Sequence, residues 1–227
     1  MKPQISVIIP AYNAERYLAA AVSSVLAQIF PADEIIVVDD GSGDATPAVA
    51  RQLPVHYHHQ TNSGAAAARN QGIRLARGSW FAFLDADDLW TPEKLAAQTK
   101  SLTAQPNLDM IFGQVEQFSS PDALRSARPL PDRLQKLNGY VPGTLLIRRE
   151  AFARLGYFDE RWQAGYFFEW FARAQDAGAT MAMLPQVVLR RRLHDDNLGL
   201  RRQDAAQREY LSVMKTILDR RRDATKQ

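Results

Sequence analysis

The sequence contains no cysteine, and this absence excludes several chemistries. Disulfide bonds, thiolate metal sites and cysteine nucleophiles cannot form, so any bound metal must be held by oxygen or imidazole ligands. Two phosphate-binding patterns are also missing. Neither Gly-x-Gly-x-x-Gly nor the phosphate-loop Gly-Lys-Ser/Thr pattern follows a predicted strand, which argues against dinucleotide-dependent oxidoreductases and phosphate-loop NTPases.

Long hydrophobic runs and a leader pattern are lacking as well. Residues 1–9 have neither the charged start nor the small-residue cleavage site of a signal peptide. No apolar run approaches the roughly 20 residues of a membrane-spanning helix. With 46% hydrophobic and 23% charged residues, the 227-residue chain is typical of one globular domain, which we expect to be soluble and cytoplasmic.

The formal net charge is only +3, but basic residues are concentrated near the end of the chain. They are Arg190, Arg191, Arg192, Arg201, Arg202, Arg208, Lys215, Arg220, Arg221 and Arg222. Such a segment is typical of a solvated helix face. Contact with the inner face of an anionic membrane, packing on the rest of the chain and homo-oligomerisation stay open as alternatives. Nucleic-acid binding is disfavoured because no recognised nucleic-acid motif accompanies the charge.

Four strand–helix units in the first 104 residues predict the fold class. Short apolar runs followed by helical periodicity predict strands at 5–9, 34–38, 55–59 and 80–84, with helices at 15–28, 47–53, 65–77 and 91–104. The second helix is expected to be capped by Thr46. Consecutive units of this kind require an α/β fold, with a mostly parallel sheet and helices on both faces.

The pattern changes after residue 105. Strands are predicted at 110–118, 143–147 and 181–191, helices at 150–154, 168–177 and 203–222, and residues 119–137 are polar. No repeat or low-complexity linker divides the chain. We therefore interpret 1–227 as one domain, made of a nucleotide-binding half (1–104), an acceptor-binding half (105–200) and a C-terminal helix (201–227).

Polar residues follow each of the first four predicted strands. They are Tyr12 and Asn13, then Asp39 and Asp40, then Thr61 and Asn62, then Asp85, Asp87 and Asp88. In open parallel sheets, ligands bind outside the carboxyl ends of the strands, towards which helix N-termini also point. The sequence therefore predicts one ligand site, at this edge of the sheet.

The aspartates after the fourth strand predict a metal site. Side chains alternate along a strand, so Asp85 and Asp87 are expected to face the same way, with Asp88 in the turn beyond. Three neighbouring carboxylates repel one another unless a cation neutralises them, and Mg²⁺ or Mn²⁺ is the natural candidate. The alternative is a polar turn in which Asp88 caps the next helix.

Four motifs, in this order, resemble the family 2 glycosyltransferases of the GT-A fold. They are Ser-Val-Ile-Ile-Pro-Ala-Tyr-Asn at 6–13, Val-Val-Asp-Asp-Gly-Ser-Gly-Asp-Ala-Thr at 37–46, Asn-Ser-Gly with Ala-Arg-Asn-Gln-Gly at 62–72, and Phe-Leu-Asp-Ala-Asp-Asp at 83–88. The resemblance implies a nucleotide-binding set, usually for uridine, of Pro10, Tyr12, Asn13, Asp39, Asp40, Arg69, Asp85 and Ala86. It also implies that Asp87 or Asp88 is the direct metal ligand.

The resemblance implies a reaction as well. A sugar would pass, with inversion, from a nucleotide-diphosphate sugar, preferably a UDP-sugar, to a hydroxyl of a carbohydrate or lipid-linked acceptor, in cell-surface polysaccharide or glycan biosynthesis. The metal would stabilise the leaving diphosphate as a Lewis acid. His194 with Asn197 resembles the late Arg-x-x-His-x-x-Asn segment, whose histidine closes over the diphosphate or joins the metal.

The sequence departs from the family pattern where the catalytic base is expected. An acidic pair normally follows a Phe-Asp-Glu segment and a glycine, but here Tyr166 and Phe167 stand at those positions. Glu169 is our first choice for the base and Asp159 the second. A catalytically impaired nucleotide-sugar-binding protein is the alternative. A sugar-phosphate nucleotidyltransferase is disfavoured, because residues 10–13 replace the glycine-rich basic loop of that class.

Overall fold

The computed structural model describes residues 3–120, 136–194 and 203–224. Most of the polar segment 119–137 lies outside these residues, as does Asn197, and the predictions made for them stay predictions. None of the helices in the described ranges combines the length and the apolar character needed to cross a bilayer.

The first half of the chain forms the parallel part of the sheet. Its strands are β1 (Ile5–Ala11), β2 (Glu34–Asp39), β3 (His56–His59) and β4 (Trp80–Phe83), in the order β3-β2-β1-β4. They alternate with α1 (Leu18–Leu26), α2 (Thr46–Arg51), α3 (Ala65–Leu75) and α4 (Lys94–Ala104). All three strand pairings are parallel, which confirms the predicted architecture of this half.

The predicted cap of α2 is wrong by one position. Thr46 is the first residue of the helix, and Ala45 precedes it as the capping residue. The Oδ1 atom of Asp44 accepts a hydrogen bond from the backbone N–H of Thr46 at 2.9 Å. Aspartate accepts such bonds as readily as threonine, so the earlier residue satisfies the helix start.

The second half extends the same sheet with mixed pairing. It contributes β6 (Met110–Ser119), β7 (Lys136–Gly139), β8 (Leu146–Arg148) and β9 (Met181–Leu193), while the two-residue β5 (Leu89–Trp90) comes from the first half, between β4 and α4. The sheet continues as β4-β8-β6-β9-β5, with β7 beside β6. Only β6 and β9 pair in parallel here, while the other pairings are antiparallel. The part of the sheet in which every pairing is parallel is therefore β3-β2-β1-β4, from the first half.

Three further α-helices and a short 3-10 helix (Pro142–Thr144) complete the described structure. The α-helices are α5 (Arg149–Leu155), α6 (Tyr166–Asp176), which begins two residues earlier than predicted, and α7 (Gln203–Ala224). The Glu209 carboxylate on α7 accepts hydrogen bonds from the N–H groups of Ala164 and Gly165, at 2.7 and 2.8 Å. These groups lie just before α6, so a negative charge sits at the positive end of that helix.

The core consists of one apolar layer on each face of the sheet. Val7 and Ile9 of β1 point into the first layer, while Ile8 between them points into the second. Lys94 is fully buried on α4, where its Nζ donates to Gln98 Oε1 at 2.6 Å and to the carbonyl oxygen of Thr144 at 3.2 Å. Burial holds the pKa of this amine well below its ordinary value.

Candidate functional site

The loops after β1 and β2 are tied to each other at the carboxyl edge of the sheet. Asn13 has a positive φ of 49°, a conformation that asparagine tolerates better than most residues. Its Oδ1 accepts a hydrogen bond from the N–H of Gly43 at 2.8 Å, and its own N–H donates to Ser42 Oγ at 3.0 Å. Tyr12, next to it, is 52% exposed, so its ring lies open at this edge.

Asp39 is fully buried at the end of β2 and is held by hydrogen bonds. Its carboxylate accepts the Tyr57 hydroxyl at 2.7 Å and the N–H of Ser42 at 2.9 Å, and the His59 ring nitrogen lies 3.3 Å away. Burial pushes the pKa of Asp39 upward, but the bonds from these three residues outweigh it, and the pKa lies below its usual value. Asp39 is therefore a fixed negative charge.

Asp40 is buried and organises the segment that leads into α3. Its Oδ1 accepts hydrogen bonds from Gln60 Nε2 and from the N–H of Ser63, each at 2.8 Å. Its Oδ2 accepts the N–H of Gly64 at 2.8 Å. Asp40 thus holds the start of α3 in place, and its predicted contact with a nucleotide base stays a prediction.

Asp85, Asp87 and Asp88 come together after β4. Each offers one carboxylate oxygen, and these atoms all lie within 4.8 Å of one another. The strand ends at Phe83, and the N–H of Asp88 donates to the carbonyl oxygen of Asp85 at 3.1 Å. A turn therefore gathers the three carboxylates, in place of the strand alternation that we expected. Ala86 is buried within this turn.

Asp88 is the buried member of this aspartate cluster. Its Oδ1 accepts the N–H of Arg192 at 2.8 Å, so it binds β9 and does not cap α4, whose capping residue is Glu93. Burial, followed by the charges of Asp87 and Asp85, raises the pKa of Asp88 well above its ordinary value. The raised pKa reflects how unfavourable three charged carboxylates are at this distance without a cation, and their oxygen ligands suit Mg²⁺ or Mn²⁺.

Side chains from other elements contact the carboxylates of the cluster, among them the two predicted residues Arg69 and His194. Arg69, buried on α3, donates from Nη2 to Asp85 Oδ1, and its guanidinium carbon lies 5.2 Å from the ring centre of Tyr166. His194, which follows β9, places Nε2 3.0 Å from Asp87 Oδ2. The structure thus brings both predicted residues to the aspartates, while their roles toward nucleotide and metal stay predictions.

The two predicted catalytic bases both accept hydrogen bonds from arginines. Glu169 is buried on α6, and its carboxylate accepts from Arg220 Nη1 at 2.9 Å and from Arg173 Nη2 at 3.2 Å. Asp159 accepts from Arg161 Nη2 at 2.6 Å, and this bond holds the pKa of Asp159 below its usual value. Each carboxylate would have to leave a guanidinium partner, or share it, in order to take a proton.

Sequence reasoning missed two residues at the cluster. Tyr166 was noted only for replacing an acidic residue, yet it packs against Arg69. Arg192 was assigned to the basic tail, yet its N–H bonds Asp88 and its Nε donates to the carbonyl oxygen of Asp87 at 2.9 Å. The arginine run just before His194 was the available signal, because it lies on the strand that reaches the site.

Comparison with sequence families gives an independent finding. The family model described as Glycosyl transferase family 2 matches residues 6–159. An uncharacterized glycosyltransferase of Rickettsia typhi is 33% identical over 208 residues, which are 85% of this chain and 65% of that protein. The putative teichuronic acid biosynthesis glycosyltransferase TuaG of Bacillus subtilis is 38% identical over 147 residues, which are 55% of this chain and 58% of that protein. The chain is therefore shorter than these relatives.

Solved structures share the fold. The crystal structure of S. aureus TarS 1-349 in complex with UDP-GlcNAc has a TM-score of 0.75 at 21% identity, covering 94% of this chain and 65% of that one. The mannosyltransferase PcManGT from Pyrobaculum calidifontis, in complex with GDP-Man and Mn²⁺, has a TM-score of 0.71 at 23% identity, covering 96% and 65%. These likenesses confirm the predicted GT-A fold.

Proposed function

Because this chain belongs to glycosyltransferase family 2, we propose that it transfers a sugar from a nucleotide-diphosphate sugar to a hydroxyl acceptor, with inversion. The observation that carries the proposal is the aspartate cluster, three carboxylates within 4.8 Å at the edge of the sheet where ligands of such folds bind. A cluster of this kind suits a divalent cation and, through it, the phosphates of the donor.

The chain's own residues divide the work of binding the donor. Asp87 and Asp88 would hold Mg²⁺ or Mn²⁺, with His194 beside Asp87. Asp85, fixed by Arg69, would accept the ribose hydroxyls. The bound metal would neutralise charge on the diphosphate as it leaves, which is where negative charge develops. PcManGT was solved with Mn²⁺, which supports a metal of this class.

For the base of the nucleotide we propose uracil. The pocket would be formed by Pro10, Tyr12 and Asn13, with Asp39 and Asp40 beneath them. The exposed ring of Tyr12 offers a surface on which a base can stack. The relatives support a nucleotide-sugar donor, with UDP-GlcNAc in one structure and GDP-Man in the other.

For the acceptor we propose a carbohydrate or a lipid-linked glycan of the cell surface. The similarity to TuaG, named for teichuronic acid biosynthesis, supports that class. Glu169 stays our first candidate for the base that deprotonates the acceptor hydroxyl, and Asp159 the second.

A second candidate function is nucleotide-sugar binding without efficient transfer. It is favoured by one specific observation: Tyr166 and Phe167 occupy the expected acidic positions, while Glu169 and Asp159 are both paired with arginines. In this case the donor site would be intact and turnover slow.

Thermal unfolding with UDP, GDP and their sugars, with and without Mn²⁺, tests the donor site. We expect a uridine ligand plus Mn²⁺ to stabilise the protein, since a ligand that binds only the folded state raises its stability. Asp87→Asn should abolish the metal-dependent part, while Glu150→Gln, which removes an exposed carboxylate on α5, should retain it. The proposal would be refuted if Mn²⁺ added nothing to the stabilisation by the nucleotide, or if Asp87→Asn kept the metal-dependent part. Release of UDP then separates the enzyme from the binding protein.

A further inference from the structure

Helix α7 is fixed along the surface of the domain through one of its faces. Val213 and Ile217 are buried against Ala172 and Trp162 of the neighbouring segment. Glu209 binds the N–H groups before α6, and Arg220 binds Glu169 on α6. The helix is therefore held at several points along its length, and its outer face has a defined orientation.

That outer face carries large apolar side chains. Leu211, Met214 and Leu218 are 67%, 48% and 61% exposed, and residues spaced three, four and seven apart lie on one side of a helix. Tyr210 extends this surface and meets Phe168 of α6 edge-on, with ring centres 6.4 Å apart. We call these five residues the α7 apolar stripe. A contiguous exposed surface of this kind marks an interaction site.

A row of basic residues runs beside the stripe. Arg208, Lys215 and Arg222 are exposed and recur every seven residues, so they line one side of the helix. Each lies three or four positions from Leu211 or Leu218, which places it next to the apolar side chains. Asp219 and Asp223 are acidic residues near this row, and the carboxylate of Asp219 accepts from Arg222 at 3.1 Å. The edge of the stripe is therefore basic.

We propose that the α7 apolar stripe and its basic row seat the protein on the surface of an anionic lipid bilayer, with the helix lying in the plane of the headgroups. Helices that bind in this way place leucine and aromatic side chains at the acyl boundary and basic side chains among the headgroups. Charge complementarity selects this partner over a second copy of the chain. Two such faces packed together would bring their basic rows close to each other, which costs free energy.

The position of α7 relates this surface to the candidate site. α7 packs on α6, and α6 begins at Tyr166, whose ring lies 5.2 Å from the guanidinium of Arg69 beside the aspartate cluster. If the proposed function holds, seating α7 on a bilayer brings the acceptor half to lipid-linked substrates. Binding to lipid itself needs neither donor nor turnover, so its failure and that of the proposed function are distinguishable.

Cosedimentation of the full chain with lipid vesicles tests the proposal. We expect binding to vesicles of phosphatidylcholine with phosphatidylglycerol, much weaker binding to phosphatidylcholine alone, and weakening by added salt. Lys215→Glu should weaken binding about fivefold or more, since a basic residue near an anionic surface contributes roughly that factor. Lys100→Glu makes the same charge change at an exposed position on α4 and should have little effect.

The apolar contribution is tested by a double variant. Leu211→Ser with Leu218→Ser should weaken vesicle binding about tenfold or more, because two large apolar side chains no longer enter the interface. Leu26→Ser on α1, at a leucine that is 53% exposed, is the matched control. Thermal unfolding of all variants should stay close to that of the parent protein, because the substituted side chains are exposed.

Three outcomes would overturn the proposal. They are the absence of binding to both vesicle types, equal binding to both, and full binding by the double variant. Sedimentation velocity tests the alternative that a second copy of the chain covers the stripe. If the parent protein self-associates but does not bind vesicles, and the double variant no longer self-associates, the α7 apolar stripe is an interface between copies of this chain.

Discussion

Glu169 could anchor α7 or act as the catalytic base, and substitution of Glu169 should affect thermal stability and turnover differently in the two cases. Its side chain is only 7% exposed, and it accepts hydrogen bonds from Arg220 and Arg173. Glu169→Gln keeps the shape and removes the charge. A hydrogen bond to a charged group contributes about 1.5–3 kcal/mol when protected from water. Arg220 is 33% exposed, so solvent screening reduces this, and we expect a loss of about 1–2 kcal/mol.

In a domain of this size, that loss corresponds to a fall in Tm of roughly 3–6 °C. Arg220→Gln removes the same ion pair from the other side and also the pair between Arg220 Nη2 and Asp176 Oδ2 at 2.9 Å, so its Tm should fall by at least as much. An unchanged Tm for Arg220→Gln would refute the anchoring argument.

Turnover of the same two variants then decides the second role. A general base contributes about 100-fold or more to the rate. Loss of that size in Glu169→Gln alone would identify the base, whereas equal turnover in both variants would leave Glu169 as an anchor.

Three further predictions concern other parts of the fold. Asp88→Asn keeps an oxygen for the N–H of Arg192 but removes one of three neighbouring carboxylates. In thermal melts without metal its Tm should therefore rise, and added Mn²⁺ should no longer stabilise the protein. Stabilisation by Mn²⁺ equal to that of the parent protein would contradict this prediction. Burial lowers the pKa of Lys94 in the folded protein, while its pKa in the unfolded chain is about 10.4. Between these two pKa values the unfolded chain binds more protons than the folded protein, so the free energy of unfolding rises with pH. Lys94→Met should remove this rise in denaturant unfolding at about pH 7 and about pH 9, and a persisting slope would point to another group. Gly41→Ala should cost about 1–3 kcal/mol in the same measurement, because φ is +75° and a Cβ would lie 2.8 Å from the backbone nitrogen of Asn62; Gly43→Ala, where a Cβ would meet nothing within 4 Å, is the control.

The four strand–helix units were predictable because their signals are local. Strands buried on both faces, such as β1, read as continuous apolar runs closed by polar residues. β5 and β7 were not predicted, since β5 has two residues and exists through its pairing with Leu189 and Arg190 of β9. Strands this short are defined by their partners, not by their own sequence.

In the candidate site, too, features with a local sequence signal were predicted and features that depend on tertiary contacts were not. The aspartates after β4 and the arginine of α3 were found from their motifs, and the structure brings them together. The contacts of Tyr166 with Arg69 and of Glu169 with Arg220 depend on how α6 and α7 dock. Glu169 and Arg220 are 51 positions apart, and no local pattern predicts that they form an ion pair. The missing information is therefore tertiary, and it concerns residues that are proposed to take part in catalysis or that contact them.

The course of β9 has a consequence for engineering. This strand belongs to the second half of the chain, yet Arg192 and His194 at its end touch the aspartates contributed by the first half. A chimera that joins these 104 residues to the second half of another family member, in order to exchange acceptors, would import a foreign strand end beside Asp87 and Asp88. Under the proposed division into a nucleotide-binding and an acceptor-binding half, acceptor and donor preference would then change together, unless the recipient keeps its own residues from 190 to 194.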